Sequence, residues 1–190
     1  EQGFVTKGKF VHPDLGFSFD VPEGFDVKNE PSDVFMVHKS KKGLMMIFNG
    51  DQVSPGQSTE NYLTDVWMVE HADKQRSVQS THVSGMDAAI AEYDMVLDGM
   101  RLKMRAMAIR WSADTVFRFS FAMPVDTSAT IQAAMRDAAY SFRKLTTADK
   151  RKYKPKRIQI RVAKSGQTVA DMARNFPFDD EHNELRFKVL

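Results

Sequence analysis

The sequence predicts an α+β fold, a twisted antiparallel sheet packed by helices and followed by a small strand-helix tail. Three observations carry this expectation. Apolar and charged residues match across a hairpin centred on Asp98-Gly99, two stretches after Thr59 and Asp126 repeat apolar residues at helical spacing, and a Thr-capped apolar stripe lies near the carboxy terminus. The order of strands, helix, several strands, helix places both helices on one buried face of the sheet.

In chain order, Phe17, Phe19 and Val21 alternate as a half-buried strand before the turn Pro22-Glu-Gly24. The apolar segments Val34 to Val37 and Leu44 to Phe48 are separated by Lys41-Lys42-Gly43, which reads as two more strands. After Thr59, the residues Tyr62, Leu63, Val66, Trp67 and Val69 make one helical stripe. A two-residue turn at Asp98-Gly99 sets Met95 opposite Leu102, Tyr93 opposite Met104 and Ala91 opposite Ala106. The same register places Glu92 against Arg105 and Asp94 against Lys103 on the other face. A second turn at Ala113-Asp114 brings Phe119 against Ala108, Phe121 against Ala106 and Met123 against Met104, giving a three-stranded meander with one buried face. Ile131, Ala134, Met135, Ala138, Phe142 and Leu145 form the second helical stripe.

Basic residues then crowd the chain from Arg143 to Arg161, around Pro155 and with few apolar neighbours. The stretch from Thr146 to Lys156 reads as a solvated basic linker. The expected organisation is a main domain over residues 1–145, a linker over 146–156 and a small module over 157–190. In that module a strand at Ile158 to Val162 leads into the turn Ser165 to Thr168. Thr168 then caps a helix with Asp171, and Val169, Met172, Ala173 and Phe176 share one face.

The tail sequence Ile160-Arg-Val-Ala-Lys-Ser-Gly-Gln-Thr-Val-Ala-Asp-Met-Ala-Arg-Asn-Phe176 resembles the first half of a LysM module. That family is associated with N-acetylglucosamine polymers such as peptidoglycan. The resemblance makes Gly166, Gln167 and Thr168 the candidate glycan-binding residues. Gln167 stands where the usual turn residue is acidic, and the sequence stops at Phe187-Lys-Val-Leu190, where a second loop and closing strand would follow. Only one wall of the groove is therefore encoded, and weak or absent peptidoglycan binding is expected of this chain. Upstream, Phe10-Val-His-Pro-Asp-Leu-Gly-Phe-Ser-Phe-Asp-Val-Pro-Glu-Gly-Phe25 resembles the opening of PsbP-like domains. Together with Tyr62-Leu63, Trp67, Gly85-Met-Asp-Ala-Ala89, Arg118-Phe-Ser-Phe121 and Ser141-Phe-Arg143, the chain is similar to the non-catalytic carboxy-terminal region of bacterial periplasmic zinc metalloproteases of the Ste/Oma/Bep-like group.

The resemblance implies a periplasmic, cell-envelope setting. It implies an upstream protease domain, peptidoglycan and protein substrates or other envelope proteins as partners, with zinc held only in that upstream domain. The alternative is a free-standing periplasmic PsbP-like binding protein. The H-E-x-x-H helix that would hold such a zinc is absent, and no catalytic, cofactor-binding or metal-binding residue is assigned in this chain. His12, His38, His71, His82 and His182 are scattered, Ser84-Gly85 and Ser165-Gly166 read as turns rather than a nucleophile elbow, and Glu92 and Asp94 each face a cation across the hairpin. Phosphate-binding glycine loops are absent as well.

Composition is that of an ordinary soluble globular protein and selects no chemistry. The 190 residues are 42% hydrophobic and 27% charged, with a net charge of +2 that does not describe a polyanion binder, so nucleic acid is disfavoured. No apolar run approaches the ~20 residues of a membrane span. Glu1-Gln2-Gly3 lacks a secretory pattern, as expected of a processed or internal start. Cysteine is absent, and of the twelve methionines Met36, Met45, Met46, Met100, Met104, Met107 and Met123 gather on expected strands or their turns, where they either fill a core or line an adaptable surface.

Overall fold

A computed structural model describes residues 3–154, 160, 162–174 and 182–189, without the side chains of residues 72–76 and 186. The chain divides into two compact units, Glu1–Tyr153 and Lys154–Leu190.

The first unit contains two antiparallel sheets. Strands β1 (Phe4–Thr6), β2 (Lys9–His12), β3 (Phe17–Asp20) and β11 (Arg143–Lys144) form the smaller one, in the order β1-β2-β3-β11. The larger sheet runs β4 (Phe25–Asn29), β5 (Asp33–His38), β6 (Met45–Gln52), β10 (Thr115–Pro124), β9 (Met100–Arg110), β8 (Met86–Leu97), β7 (Gln75–Val83). The strands expected around Phe17 to Val21, Val34 to Val37 and Leu44 to Phe48 are present, and the Pro22–Gly24 turn passes the chain from one sheet to the other.

The β8–β9 hairpin has the expected register throughout, from Leu97↔Met100 through Tyr93↔Met104 and Glu92↔Arg105 to Ala91↔Ala106. Its turn residues Asp98 and Gly99 both have positive φ, 50° and 76°, the type I′ geometry that matches the right-handed twist of paired strands. The next connection differs. Arg110 pairs with Val116, so the loop holds five residues and the register slips by one relative to the expectation: Phe119 faces Met107, Phe121 faces Arg105 and Met123 faces Lys103. The Asp114 carboxylate accepts hydrogen bonds from Ser112 Oγ (2.7 Å) and Thr115 Oγ1 (3.1 Å), closing a loop of odd length.

A slip of one residue moves every side chain of a strand to the opposite face. Phe117, Phe119 and Phe121 therefore share a face with Ile109 and Met107, while Ala106 and Ala108 lie on the other beside Arg118 and Ser120. The sheet has two buried faces, not one. The aromatic face packs against Phe10, Phe17 and Phe19 of the small sheet and against Met135, Ala138 and Ala139 of α2 (Ala129–Tyr140), with Phe142 just beyond it. The alanine face, with Ala89, Ala91, Ala106 and Ala108, packs against Tyr62, Leu63 and Met68. The two helical segments thus cover opposite faces rather than one.

Phe142 and Leu145 of the expected stripe lie beyond the helix end at Tyr140, Leu145 after β11, but from Ser128, whose Oγ accepts the Ile131 N–H, helix α2 otherwise follows the stripe. The stretch after Thr59 does not. α1 (Thr59–Tyr62) runs into a π-turn over Leu63–Trp67, closed by Met68 N–H donating to Leu63 O at 2.9 Å, and then a 3-10 segment over Val69–Lys74. The wider π-turn rotates the apolar stripe. Tyr62, Leu63 and Met68 are buried, whereas Val66 and Val69 are exposed.

Within the span expected as a linker, Thr147–Lys152 forms a helix, α3. Thr146 and Asp149 make a reciprocal capping box, and Arg143 Nη1 reaches Asp149 at 2.7 Å, which holds that carboxyl well below its ordinary range. In the second unit, the Thr168/Asp171 box caps α4 (Val169–Ala173), and α5 (Asn183–Lys188) packs beside α4. Of the strand expected over Ile158 to Val162, residues 158, 159 and 161 lie outside the described residues. Ile160 and Val162 are not in a strand and stand exposed. Phe176 of the expected apolar stripe also lies outside the described residues.

Candidate functional site

The alanine face brings polar side chains together because its small residues let α1 and the π-turn approach the sheet closely. Arg118, on β10, pairs with Asn49 of β6 and Ala108 of β9. Its Nε donates to Asn49 Oδ1 (2.8 Å), and its Nη1 donates to Asp51 Oδ2 (2.9 Å) and contacts Tyr62 Oη (3.1 Å). The guanidinium also lies over the Trp67 ring, 5.0 Å from its centroid. Tyr62 Oη donates to Asp51 Oδ2 at 2.6 Å. Burial, reinforced by that hydrogen bond, pushes the Tyr62 phenol well above its usual pKa. It therefore keeps its proton at neutral pH and serves as a donor, not as a base. Asn49 Nδ2 donates to Asp33 Oδ1 (2.7 Å) and Ser32 Oγ to Asp33 Oδ2 (2.6 Å), and these two bonds draw the Asp33 carboxyl below its ordinary value. The arrangement is a satisfied clamp joining β5, β6, β10 and the π-turn.

A recess of about 540 Å³, lined by several polar side chains, lies between the start of α1, the strands flanking the β7–β8 turn and the end of β9. Glu60 accepts a hydrogen bond from Ser80 Oγ, and His82 Nε2 lies 3.2 Å from Asp87 Oδ1. Arg110 donates to the carbonyls of Gln57 and Ala113. The recess offers carboxylates and hydroxyls to a cationic or hydrogen-bonding group. A second depression of about 550 Å³ lies at the β8–β9 tip, where Val96, Leu97 and Val125 are exposed.

The tail turn is held by its own backbone and side-chain bonds. Gly166 has φ +81°, a conformation that side chains resist, and Gln167 closes the turn by accepting the Lys164 N–H on Oε1 (2.9 Å) while its own N–H donates to Lys164 O (3.0 Å). Gln167 thus occupies the acidic residue's expected place with its side chain turned to the backbone. Gly166, Gln167 and Thr168 are all exposed, and Thr168 is engaged with Asp171.

The histidines of the first unit have separate partners. His12 accepts from Leu15 N–H, with burial lowering its pKa, His38 accepts from Ser40 and Lys41 N–H groups, and His71 stacks on Tyr93 at 5.0 Å. Among the described residues no three His, Asp or Glu side chains converge to hold a metal ion. Glu92 meets Arg105 as expected, and Arg105 also lies over Phe121. Of the strand methionines, Met36, Met46, Met107 and Met123 are buried, so they fill the core rather than line a groove. Among the described residues no helix is long and apolar enough to cross a membrane.

Sequence reasoning missed both the clamp and the recess. Arg118 was legible only as part of an aromatic strand motif, and its partners lie 56 to 69 residues away.

No known family and no curated protein matches the sequence. Solved structures match the fold. The solution structure of cyanobacterial PsbP (CyanoP) from Synechocystis sp. PCC 6803 aligns with a TM-score of 0.57 at 14% identity, covering 72% of this chain and 91% of that one. A crystal structure from Bacteroides thetaiotaomicron VPI-5482 gives 0.52 at 12% identity over 76% of this chain, which spans 50% of that chain. LpqN, involved in cell envelope biogenesis of Mycobacterium tuberculosis, gives 0.50 at 9% identity, covering 66% and 81%. The chain has a PsbP-like α+β fold.

Proposed function

We propose that this chain is a non-catalytic interaction region of a cell-envelope zinc metalloprotease, positioning the protease or its protein substrates near peptidoglycan. The observation that carries the reading is the PsbP-like scaffold itself, whose alignment with CyanoP covers 72% of this chain. Both faces of its large sheet are filled by the chain's own side chains, which leaves edges, recesses and hairpin tips as the surfaces on which a partner can be held. LpqN, with its part in envelope biogenesis, supports the compartment. The capped turn at Gly166 to Thr168 is the glycan-facing element of this reading, and zinc belongs to the partner domain rather than to any residue here.

One observation favours a second reading. The alignment takes in 91% of the CyanoP chain, so the fold makes up nearly all of that solved chain. A free-standing periplasmic binding protein of this fold is the corresponding alternative.

In-cell photo-crosslinking from positions around the recess, followed by mass spectrometry, tests both. Recovery of a zinc metalloprotease and its envelope substrates is expected. Recovery of envelope proteins without a protease favours the free-standing form, and purely cytoplasmic partners overturn both. For the tail, retention on purified peptidoglycan should be weak and should fall further with Gly166→Val, which strains the φ +81° turn. Strong retention indifferent to that change removes the turn from the function.

A further inference from the structure

The four sheet edges of the first unit are not alike. β1 and β11 are only three and two residues long. β4 has five residues and carries Asp26, paired with Lys39 at 3.4 Å, and Lys28, paired with Glu30 at 2.6 Å. Short strands and charges are the usual means of blocking edge-to-edge pairing. β7 has neither protection over most of its length. It spans nine residues, and Ser77-Val-Gln-Ser-Thr-His-Val83 contains no Asp, Glu, Lys, Arg or Pro. Among the described residues no strand pairs with its outer edge, and Gln79, Ser80 and His82 are exposed.

The hairpin geometry says which backbone groups are open. Ser84 and Gly85 have φ of 50° and 78°, a two-residue type I′ turn, so the flanking pair Val83↔Met86 exchanges both of its hydrogen bonds. Alternation then turns the N–H and C=O groups of Thr81, Gln79 and Ser77 toward β8 and those of His82, Ser80 and Val78 outward. The side chains of Ser80 and His82 lie on the alanine face, where Ser80 meets Glu60 and His82 meets Asp87 at the polar recess.

We infer that β7 is a docking edge for an extended segment of a partner protein, which adds as an eighth strand by pairing with the main chain of Val78, Ser80 and His82 and places a Lys or Arg side chain against Glu60 and Asp87 in the recess. The outward groups span four residue steps, about 13 Å, so a segment of about five residues suffices. Main-chain bonds supply affinity without regard to sequence, and the two carboxylates supply the preference for a basic residue: Arg110 is already committed to the Gln57 and Ala113 carbonyls, and the incoming cation displaces exposed His82 from Asp87. This proposal rests on the reading of the chain as an interaction region and names the surface and partner class.

The test is selection of linear heptapeptides from a random display library on the intact chain. Enriched sequences should alternate β-branched residues with Lys or Arg. N-methylation of alternate amides in a selected peptide should weaken binding about tenfold or more, and methylation of the intervening amides should not. Ser80→Pro removes an outward N–H that the β7–β8 ladder does not use, along with the Oγ donor to Glu60, and should have the same effect with the fold retained by circular dichroism. If that variant fails to fold, the N-methyl series decides alone. Glu60→Gln should erase the basic preference. Enrichment of no sequence, or of peptides indifferent to N-methylation, overturns the edge, as does binding abolished by Val96→Asp at the hairpin tip instead. Crosslinking that still recovers envelope proteins in that case leaves the interaction region standing, whereas edge-binding peptides with cytoplasmic partners overturn the envelope setting and keep the edge.

Discussion

The two faces of the large sheet solve burial differently. On one, Phe48, Phe117 and Phe119 meet Phe17, Phe19 and Phe142, with ring centroids as close as 4.7 Å between Phe19 and Phe48 and 4.8 Å between Phe17 and Phe117. On the other, four alanines lie flat under Tyr62 and Leu63, and the polar clamp of Arg118, Asp51 and Tyr62 sits at the margin. Bulk on the first face gives area removed from water and stable side-chain interlock. The small residues of the second give closeness, and closeness is what lets a tyrosine and a tryptophan reach an arginine on the sheet. The face with less apolar bulk is therefore the one that adjoins the recess and the open edge.

Substitutions should separate these two modes of packing. Phe119→Ala opens a cavity among rings that cannot collapse together, and is expected to cost about 3 to 5 kcal/mol by urea unfolding. A loss below 1 kcal/mol would mean the aromatic face is not the main core. Ala108→Leu acts in the opposite sense, adding volume where none is free, and should cost about 1 to 3 kcal/mol. If it stabilises instead, the alanine face is loosely covered. Tyr62→Phe keeps the ring but removes the donor to Asp51, for a loss of about 1.5 to 3 kcal/mol. Glu92→Gln, at the rim of the aromatic face, should cost only about 0.2 to 1 kcal/mol, because its pairing with Arg105 is partly solvated.

The clamp also gives the smallest effect, one of pH. Hydrogen bonds from Ser32 and Asn49 depress the Asp33 carboxyl in the folded protein. Its contribution is therefore present above the unfolded-state value, near 3.9, and lost as pH falls through the lower folded value. Acid titration of Asp33→Asn should show a flatter acid limb than the original protein. An unchanged limb would remove Asp33 from the acid response.

The hairpin at Asp98-Gly99 shows how much a sequence can specify locally. Its turn demands positive φ at two adjacent residues, and the alternation on both strands then admits one register. Helix α2 was legible for the same reason, an apolar stripe within one stretch. The Thr146/Asp149 box had the same spacing as Thr168/Asp171, yet the surrounding run of Lys and Arg gave it the appearance of a linker. The loop after Arg110 escaped because its parity depends on a three-residue hydrogen-bond pattern at Asp114, and one residue of parity decides which face receives three phenylalanines.

The candidate site was less legible than the fold. Gly166, Gln167 and Thr168 were named only through the resemblance of their turn to a LysM module, a pattern confined to one short stretch. Glu60, Ser80, His82 and Asp87 come together only when α1 is drawn onto the alanine face beside the β7–β8 hairpin, and none of them carries a pattern of its own.

What the sequence by itself determined is the set of elements that close over short distances: the type I′ turn and its register, the Ser- and Thr-capped helices, and the strands bounded by glycine and proline. Tertiary structure decided the rest. It chose the faces through the slip between β9 and β10, rotated the stripe after Tyr62 through a π-turn, and left β7 as the long open edge, because each outcome depends on contacts between residues far apart in the chain, whose energies no local pattern encodes.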